Sequence, residues 1–134
     1  MICRPRAAPD ERGSASAELV VATPLLLLLI LAIVQFALWQ HAVHVAQAVA
    51  QQGLAAGRVQ GATQTTATGE AQQVLSQLGS SVLVHPSITA SRGAVTTTVV
   101  VTGYAEGVLP FLHLPIRSVA TGPTERFTTT AAQP

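Results

Sequence analysis

The chain has no lysine among its 134 residues, a single cysteine, and few aromatic residues: three Phe, one Trp and one Tyr. Its seven arginines are balanced by six acidic residues, so it offers no basic surface for nucleic acid, whose phosphates require clustered Lys and Arg. One cysteine excludes an intramolecular disulfide framework and a cysteine-based zinc site. The missing lysine also excludes the common phosphate-binding loop, which needs that residue.

Residues that carry enzymatic chemistry are equally sparse. No aspartate follows Asp10, so none is available to orient a histidine as in a Ser-His-Asp triad. The glutamates of the second half are scattered, which gives no basis for paired-carboxylate catalysis. His41 and His44 have helical spacing, but no nearby Cys, Asp or Glu completes a metal site. We therefore expect a protein that is not an enzyme and that binds neither a metal nor a cofactor.

An uncharged apolar segment covers residues 19–38, LVVATPLLLLLILAIVQFAL. As a helix it would be about 30 Å long, which matches the hydrocarbon core of a membrane. Three arginines lie within residues 1–13, and the next one is Arg58. The positive-inside rule therefore places residues 1–13 in the cytoplasm and residues 40–134 outside it, with Trp39 as an interfacial anchor.

Two interpretations of the apolar segment remain open. The first is a single-pass anchored module whose exported domain binds a ligand in the cell envelope. The second is a small secreted protein, since Ala-Gln-Ala at 46–48 and Ala-Val-Ala at 48–50 fit signal-peptidase cleavage patterns. The apolar segment is longer than the usual signal-peptide core of about 7–15 residues, which favours retention of the helix.

Glu18 lies directly before the apolar segment. A carboxylate beside a hydrocarbon helix is costly unless it reaches the interface or finds a cationic partner. Glu18 is therefore either an exposed interfacial residue or the partner of a positive group on a neighbouring helix.

The sequence RGSASAE at 12–18, followed by the apolar segment, resembles the processed N-terminus of type IV pilin-like proteins. More narrowly, it resembles the TadE-like minor pseudopilins of tight-adherence (Flp) pilus systems. In that family a prepilin peptidase cuts after a glycine, glutamate occupies the fifth mature position, and a proline follows six residues later. Gly13, Glu18 and Pro24 occupy these positions here, and an alanine-rich helix follows up to Arg58.

The resemblance implies cleavage between Gly13 and Ser14, lateral packing of the retained helix, and pairing of Glu18 with the new amino group of a neighbouring subunit. The implied partners are the prepilin peptidase, other pilin or pseudopilin subunits and the pilus assembly platform. The implied location is the cytoplasmic membrane, with the C-terminal domain outside and with incorporation into a surface pilus. The implied role is priming or assembling the fibre.

Two departures from the family pattern narrow this expectation. Glu18 is followed by Leu19 and not by the tyrosine of major Flp pilins, which argues against the main fibre subunit. Gln35-Phe36 stands where many TadE-like chains have an acid before an aromatic residue. The glutamine removes a charge from this part of the helix.

Beyond the membrane the predicted helix carries two stripes. Polar residues form one stripe and small residues form the other: Gln40, His44, Gln47 and Gln51; Ala42, Ala46, Ala50, Gly53 and Gly57. Small side chains allow two helices to approach closely, so Gly53 and Gly57 are predicted helix-packing residues together with Pro24. Their partner is either the protein's own exported domain or another subunit.

The C-terminal part changes from helical to alternating periodicity. The pattern predicts a polar connector at 61–68, a helix at 69–78 capped by Thr68, and strands at 82–90, 94–104, 116–121 and 127–130. Pro86 is expected to bend an edge strand, and residues 91–93 to form a turn. Val95, Thr97, Val99 and Val101 are expected to share one sheet face. The apolar loop at 110–115 either folds over the sheet edge or docks a partner.

These elements predict an α+β fold, in which a long N-terminal transmembrane helix extends outward and carries one short helix and a small antiparallel sheet. The expected organisation is a cytoplasmic leader at 1–13, the transmembrane and extended helix at 14–60, and an exported domain at 61–134. So few large residues bury only a thin core, which is typical of a subunit completed by its partners.

Overall fold

The computed structural model describes residues 11–79 and 81–126. It contains two helices and three strands in this part of the chain: α1 (Glu11–Arg58), α2 (Gln64–Leu78), β1 (Leu83–Arg92), β2 (Thr96–Ala105) and β3 (Pro115–Pro123). The predicted α+β class, with a long apolar helix, a short helix and an antiparallel sheet, is confirmed. The strand predicted at 127–130 lies outside the described residues.

Helix α1 is continuous over 48 residues, which corresponds to a length of about 72 Å. Its leucine and alanine content explains the helix, because both residues have high helical propensity. The chain turns after Arg58, where the Ala62 N–H donates to the Val59 carbonyl at 3.1 Å and Gly61 adopts a φ of 80°. A positive φ suits glycine, so Gly61 permits the reversal that leads into α2.

Helix α2 begins five residues earlier than predicted, at Gln64, and its N-cap is Thr63 and not Thr68. The reason is a capping box: the Thr66 N–H donates to the Thr63 hydroxyl at 3.2 Å, and the Thr66 hydroxyl accepts from the Thr63 N–H at 3.3 Å. Thr68 lies within the helix, where its hydroxyl donates to the Gln64 carbonyl at 3.2 Å. The second half of the predicted polar connector is therefore helical.

The sheet has the order β1-β2-β3, and both pairs are antiparallel. The predicted bend in the edge strand β1 is confirmed by a register shift between Val84 and Ser87, at Pro86 and the positive-φ residue His85. Because β1 is an edge strand, a proline without an N–H is tolerated there, whereas in a central strand it would remove a hydrogen bond between strands.

The β1–β2 turn lies two residues later than predicted. Ser91 and Arg92 still pair with β2, and the Gly93 N–H donates to the Thr96 carbonyl at 2.8 Å to close the turn. Val95 belongs to this turn and is 72% exposed, so it does not share the buried face predicted for it. The other members of that predicted face, Thr97, Val99 and Val101, are buried.

One hydrophobic core joins α1, α2 and the sheet. It brings together small and branched side chains from α1, α2 and the sheet: Ala42, Val45, Ala46, Val49, Ala50, Leu54, Ala67, Ala71, Leu75, Leu83, Val99, Val101, Ala105, Ile116 and Ala120. The α1 contributions fall within residues 42–54. The second half of α1 is therefore the central element of the domain, and the first half extends beyond it. We call this domain, which comprises α1 from residue 35 onward, α2 and the sheet, the head.

Candidate functional site

The first half of α1, residues 16–34, has almost no cover within the protein. Among its large side chains, only Leu31 has intermediate exposure. The others are exposed: Leu19, Val20, Val21, Leu25, Leu26, Leu27, Leu28, Leu29, Ile30, Ile33 and Val34. Fully burying such a side chain is worth about 1.5–3 kcal/mol, so water is an unfavourable environment for this surface. The helix is long and apolar enough to cross a membrane. It fits a single-pass membrane anchor.

Pro24 lies within this apolar half, and α1 continues through it. Proline has no N–H, so the preceding turn loses one backbone hydrogen bond. One residue away, the Thr23 hydroxyl donates to the Leu19 carbonyl at 2.7 Å. The carbonyl that loses its N–H partner is that of Val20, four residues before Pro24, and the Thr23 hydroxyl adds a bond to the neighbouring Leu19 carbonyl.

Gly13 and Ser14 lie near the beginning of α1, and Glu18 lies one helical turn beyond Ser14 with an exposed side chain. Residues four positions apart are neighbours on one helix face, separated by about 6 Å along the axis. The predicted cleavage residues, Gly13 and Ser14, and the predicted pairing residue, Glu18, therefore lie in the same short stretch of helix.

Gly53 and Gly57 face the protein's own second helix. A Cβ atom added to Gly53 would lie 2.9 Å from the Ala71 Cβ and 3.0 Å from the Ala67 carbonyl oxygen. One added to Gly57 would lie 2.7 Å from the Ala67 Cβ. Any larger residue would therefore force α1 and α2 apart, and the small-residue stripe packs within the subunit.

The polar stripe of α1 lies on the opposite side. Gln40, His44, Gln47 and Gln51 are all exposed. His41 is also exposed, and residues 11–79 and 81–126 contain no group of three or more His, Cys, Asp or Glu side chains placed to hold a metal ion.

Gln35 marks the border between the two halves of α1, and its side chain is only 3% exposed. Its Oε1 accepts a hydrogen bond of 2.9 Å from the backbone N–H of Val108, in the loop between β2 and β3. Gly107 lies against the same amide, because a Cβ there would be 3.0 Å from Nε2. In the family pattern, Gln35 only replaces an acidic residue. In the structure, its side chain joins the helix to a distant loop.

Arg92 connects the sheet to the other end of α1. Its Nε donates to the Gly57 carbonyl at 3.0 Å and its Nη2 donates to the Val59 carbonyl at 3.2 Å. A cation beside the last carbonyls of the helix complements the negative end of the helix dipole. Sequence reasoning missed this role, because Arg92 lies 35 positions from Gly57.

These features define a class of protein: a small α+β head carried on one long helix whose free half has the composition of a membrane anchor. The family model described as TadE-like protein matches residues 13–55. The resemblance to the TadE-like family is thereby confirmed for this segment, which lies entirely within α1. No curated protein and no solved structure matches the chain.

Proposed function

We propose that the protein is a pilin-like minor component or assembly factor of a tight-adherence pilus, made as a membrane precursor and processed by a prepilin peptidase. The observation that carries the proposal is the TadE-like match on a helix with one bare half and one packed half. A subunit of this shape stays in the membrane through its bare half until neighbouring helices replace the lipid around it.

Processing would occur between Gly13 and Ser14 and would create a new amino group at Ser14. Glu18 is exposed, so its carboxylate is available to the amino group of a neighbouring subunit as well as to its own. Bringing the two opposite charges together would offset the cost of keeping either one in an apolar surrounding. Other pilin or pseudopilin subunits and the assembly platform are the proposed partners of the helix.

Replacement of Gly13 tests the processing step. We expect Gly13→Val to leave the precursor uncut in cells that contain the prepilin peptidase, as measured by intact mass of the membrane protein. Gly69→Val is the matched control, because no atom lies within 4 Å of a Cβ added at Gly69 on α2. Normal processing of Gly13→Val would contradict the proposal.

Replacement of Glu18 tests assembly separately from processing. We expect Glu18→Gln, which keeps the size of the side chain and removes its charge, to be cleaved normally and to reduce the number of pili per cell. Glu70→Gln is the control, since it makes the same change of side chain on α2, away from the apolar half of α1. Unchanged piliation in Glu18→Gln would remove the proposed role of the carboxylate.

The anchored envelope-binding module remains the alternative, and it differs from the proposal in keeping residues 1–13. Release by signal peptidase after Ala48 or Ala50 is disfavoured by the packing. Ala46, Val49 and Ala50 are fully buried, so cleavage there would divide the core of the head.

A further inference from the structure

The loop between β2 and β3, residues 106–114, lies at the end of the head that is nearest to the apolar half of α1. Strand β2 runs antiparallel to α1: Thr97 lies beside Gly57, Val99 beside Gly53, and Val108 beyond the strand reaches Gln35. The loop is therefore placed where the helix leaves the head and becomes bare.

The depth of Gln35 along the helix can be compared with the thickness of a membrane. Counted from Leu19, where the apolar segment begins, Gln35 lies about 24 Å along the axis and Trp39 about 30 Å. A hydrocarbon core is about 30 Å thick, so Trp39 reaches its boundary and Gln35 lies about 6 Å inside. Tilting of the helix would only place Gln35 deeper. The N–H of Val108, 2.9 Å from Gln35 Oε1, lies at the same depth.

The surface of the loop is suited to that depth. Phe111 is 78% exposed, and Val108 and Leu112 are also exposed. No charged residue occurs between Glu106 and Arg117. Exposed apolar side chains on an uncharged loop are unfavourable in water and favourable in the acyl-chain region of a bilayer.

Part of the loop backbone has its hydrogen bonds within the head, which lowers the cost of taking that part out of water. The N–H groups of Glu106, Val108 and Leu112 donate to the Val82 carbonyl, to Gln35 Oε1 and to the Leu109 carbonyl. Pro110 has no N–H to satisfy.

Aromatic residues lie on this part of α1, at the end of β2 and on the loop. Phe36 and Trp39 on α1 have ring centroids 5.9 Å apart, and Tyr104 at the end of β2 contacts His113 of the loop at 6.4 Å. With Phe111 they account for every Phe, Trp and Tyr in residues 11–79 and 81–126. Tyr and Trp concentrate at membrane–water interfaces, so this arrangement is typical of an interfacial belt.

We propose that the β2–β3 loop inserts Phe111 and its apolar neighbours into the head-side leaflet of the membrane that α1 spans, and that Gln35 holds the loop there. The head then has two attachments to the lipid, the helix and the loop, which fix its orientation on the membrane. The proposal goes beyond pilus assembly and is independent of leader cleavage, because it depends only on the membrane anchor.

Tryptophan fluorescence of the full chain in lipid nanodiscs, one copy per disc, tests the insertion. Trp39→Phe removes the single native tryptophan, and Phe111→Trp is then added as a probe of the loop. Val95→Trp is the control for water, since Val95 is 72% exposed in the β1–β2 turn at the far end of the head. Leu27→Trp, at a position 57% exposed in the middle of the bare half, is the control for lipid.

We expect lipids brominated on their acyl chains to quench Phe111→Trp several-fold more strongly than Val95→Trp, and iodide to quench it more weakly. If Phe111→Trp behaves like Val95→Trp while Leu27→Trp is quenched by lipid, the loop is in water, and the proposal fails although the anchor stands. Shielding of Phe111→Trp from both quenchers would show that protein covers it, which also overturns the proposal. Failure of lipid to quench Leu27→Trp would overturn the anchor itself, and the loop insertion with it.

Discussion

The two halves of α1 are both largely uncharged, yet they have opposite surroundings. Residues 16–34 are rich in Leu, Ile and Val and are bare, whereas residues 35–58 are rich in Ala and Gly and form the centre of the head. The difference is side-chain size. Large side chains protrude and gain from a thick apolar medium, while small ones let α2 and the sheet come within contact distance of the helix backbone.

This contrast teaches that hydrophobicity alone does not show which part of a helix is the core of a protein. Many of the large apolar side chains are exposed, and the core is formed mainly by Ala and Val. Substitutions in the two halves are therefore expected to act on different properties: stability of the head in one half, and fit to lipid or neighbouring helices in the other.

The largest effect is expected from the same substitution made in each half. Ala50→Leu inserts three carbon atoms into a fully buried position, and we expect it to lower the free energy of unfolding of the head by about 3 kcal/mol. Ala22→Leu, on the bare half, is expected to leave it unchanged. Urea unfolding of the full chain in detergent, followed by circular dichroism, measures both. Equal losses would contradict the division of α1 into two halves.

A smaller effect is expected at the border between the halves. Gln35→Leu leaves the partly buried N–H of Val108 without its acceptor, which costs about 1 kcal/mol. Faster hydrogen exchange at the Val108 amide, with little change at the centre of β2, is the specific sign of this loss. Gln40→Leu on the exposed face is the control. Unchanged protection of Val108 in Gln35→Leu would show that the glutamine does not hold the loop.

The smallest effect is expected at the N-terminus of α2, the helix that packs on the second half of α1. Thr63→Ala removes the cap of α2 and is expected to destabilise the head by about 1 kcal/mol. Thr65→Ala, on the exposed surface of the first turn, is the matched control. If the two variants have the same unfolding midpoint, the capping box contributes nothing to α2.

The sequence predicts local features of the fold well and distant contacts poorly. The long helix, the buried face of β2 and the bend at Pro86 follow from periodicity and from the chemistry of proline, which act over a few residues. The start of α2 was misplaced because Thr63 and Thr68 are equally good caps by residue type. Thr63 can complete a capping box with Thr66, and Ala67 packs on Gly57 only if the helix starts early.

The residues of the candidate site also separate into those that a local sequence pattern predicts and those that depend on a distant contact. Gly13, Glu18 and Pro24 are recognisable because their spacing is contained in one stretch of helix, and that stretch matches the TadE-like family. The contact between Gln35 and Val108 spans 73 positions and depends on how β2 runs along α1, which no local pattern shows. A lone polar residue near the end of an apolar segment is nevertheless a signal that a buried partner exists.

The most direct test of the proposed function is the N-terminus of the protein recovered from the membrane fraction of producing cells, by intact mass and N-terminal sequencing. We expect a chain that begins at Ser14 and retains the whole apolar half of α1. A membrane protein that keeps residues 1–13, or a soluble product that begins near Val49 or Gln51, would contradict it.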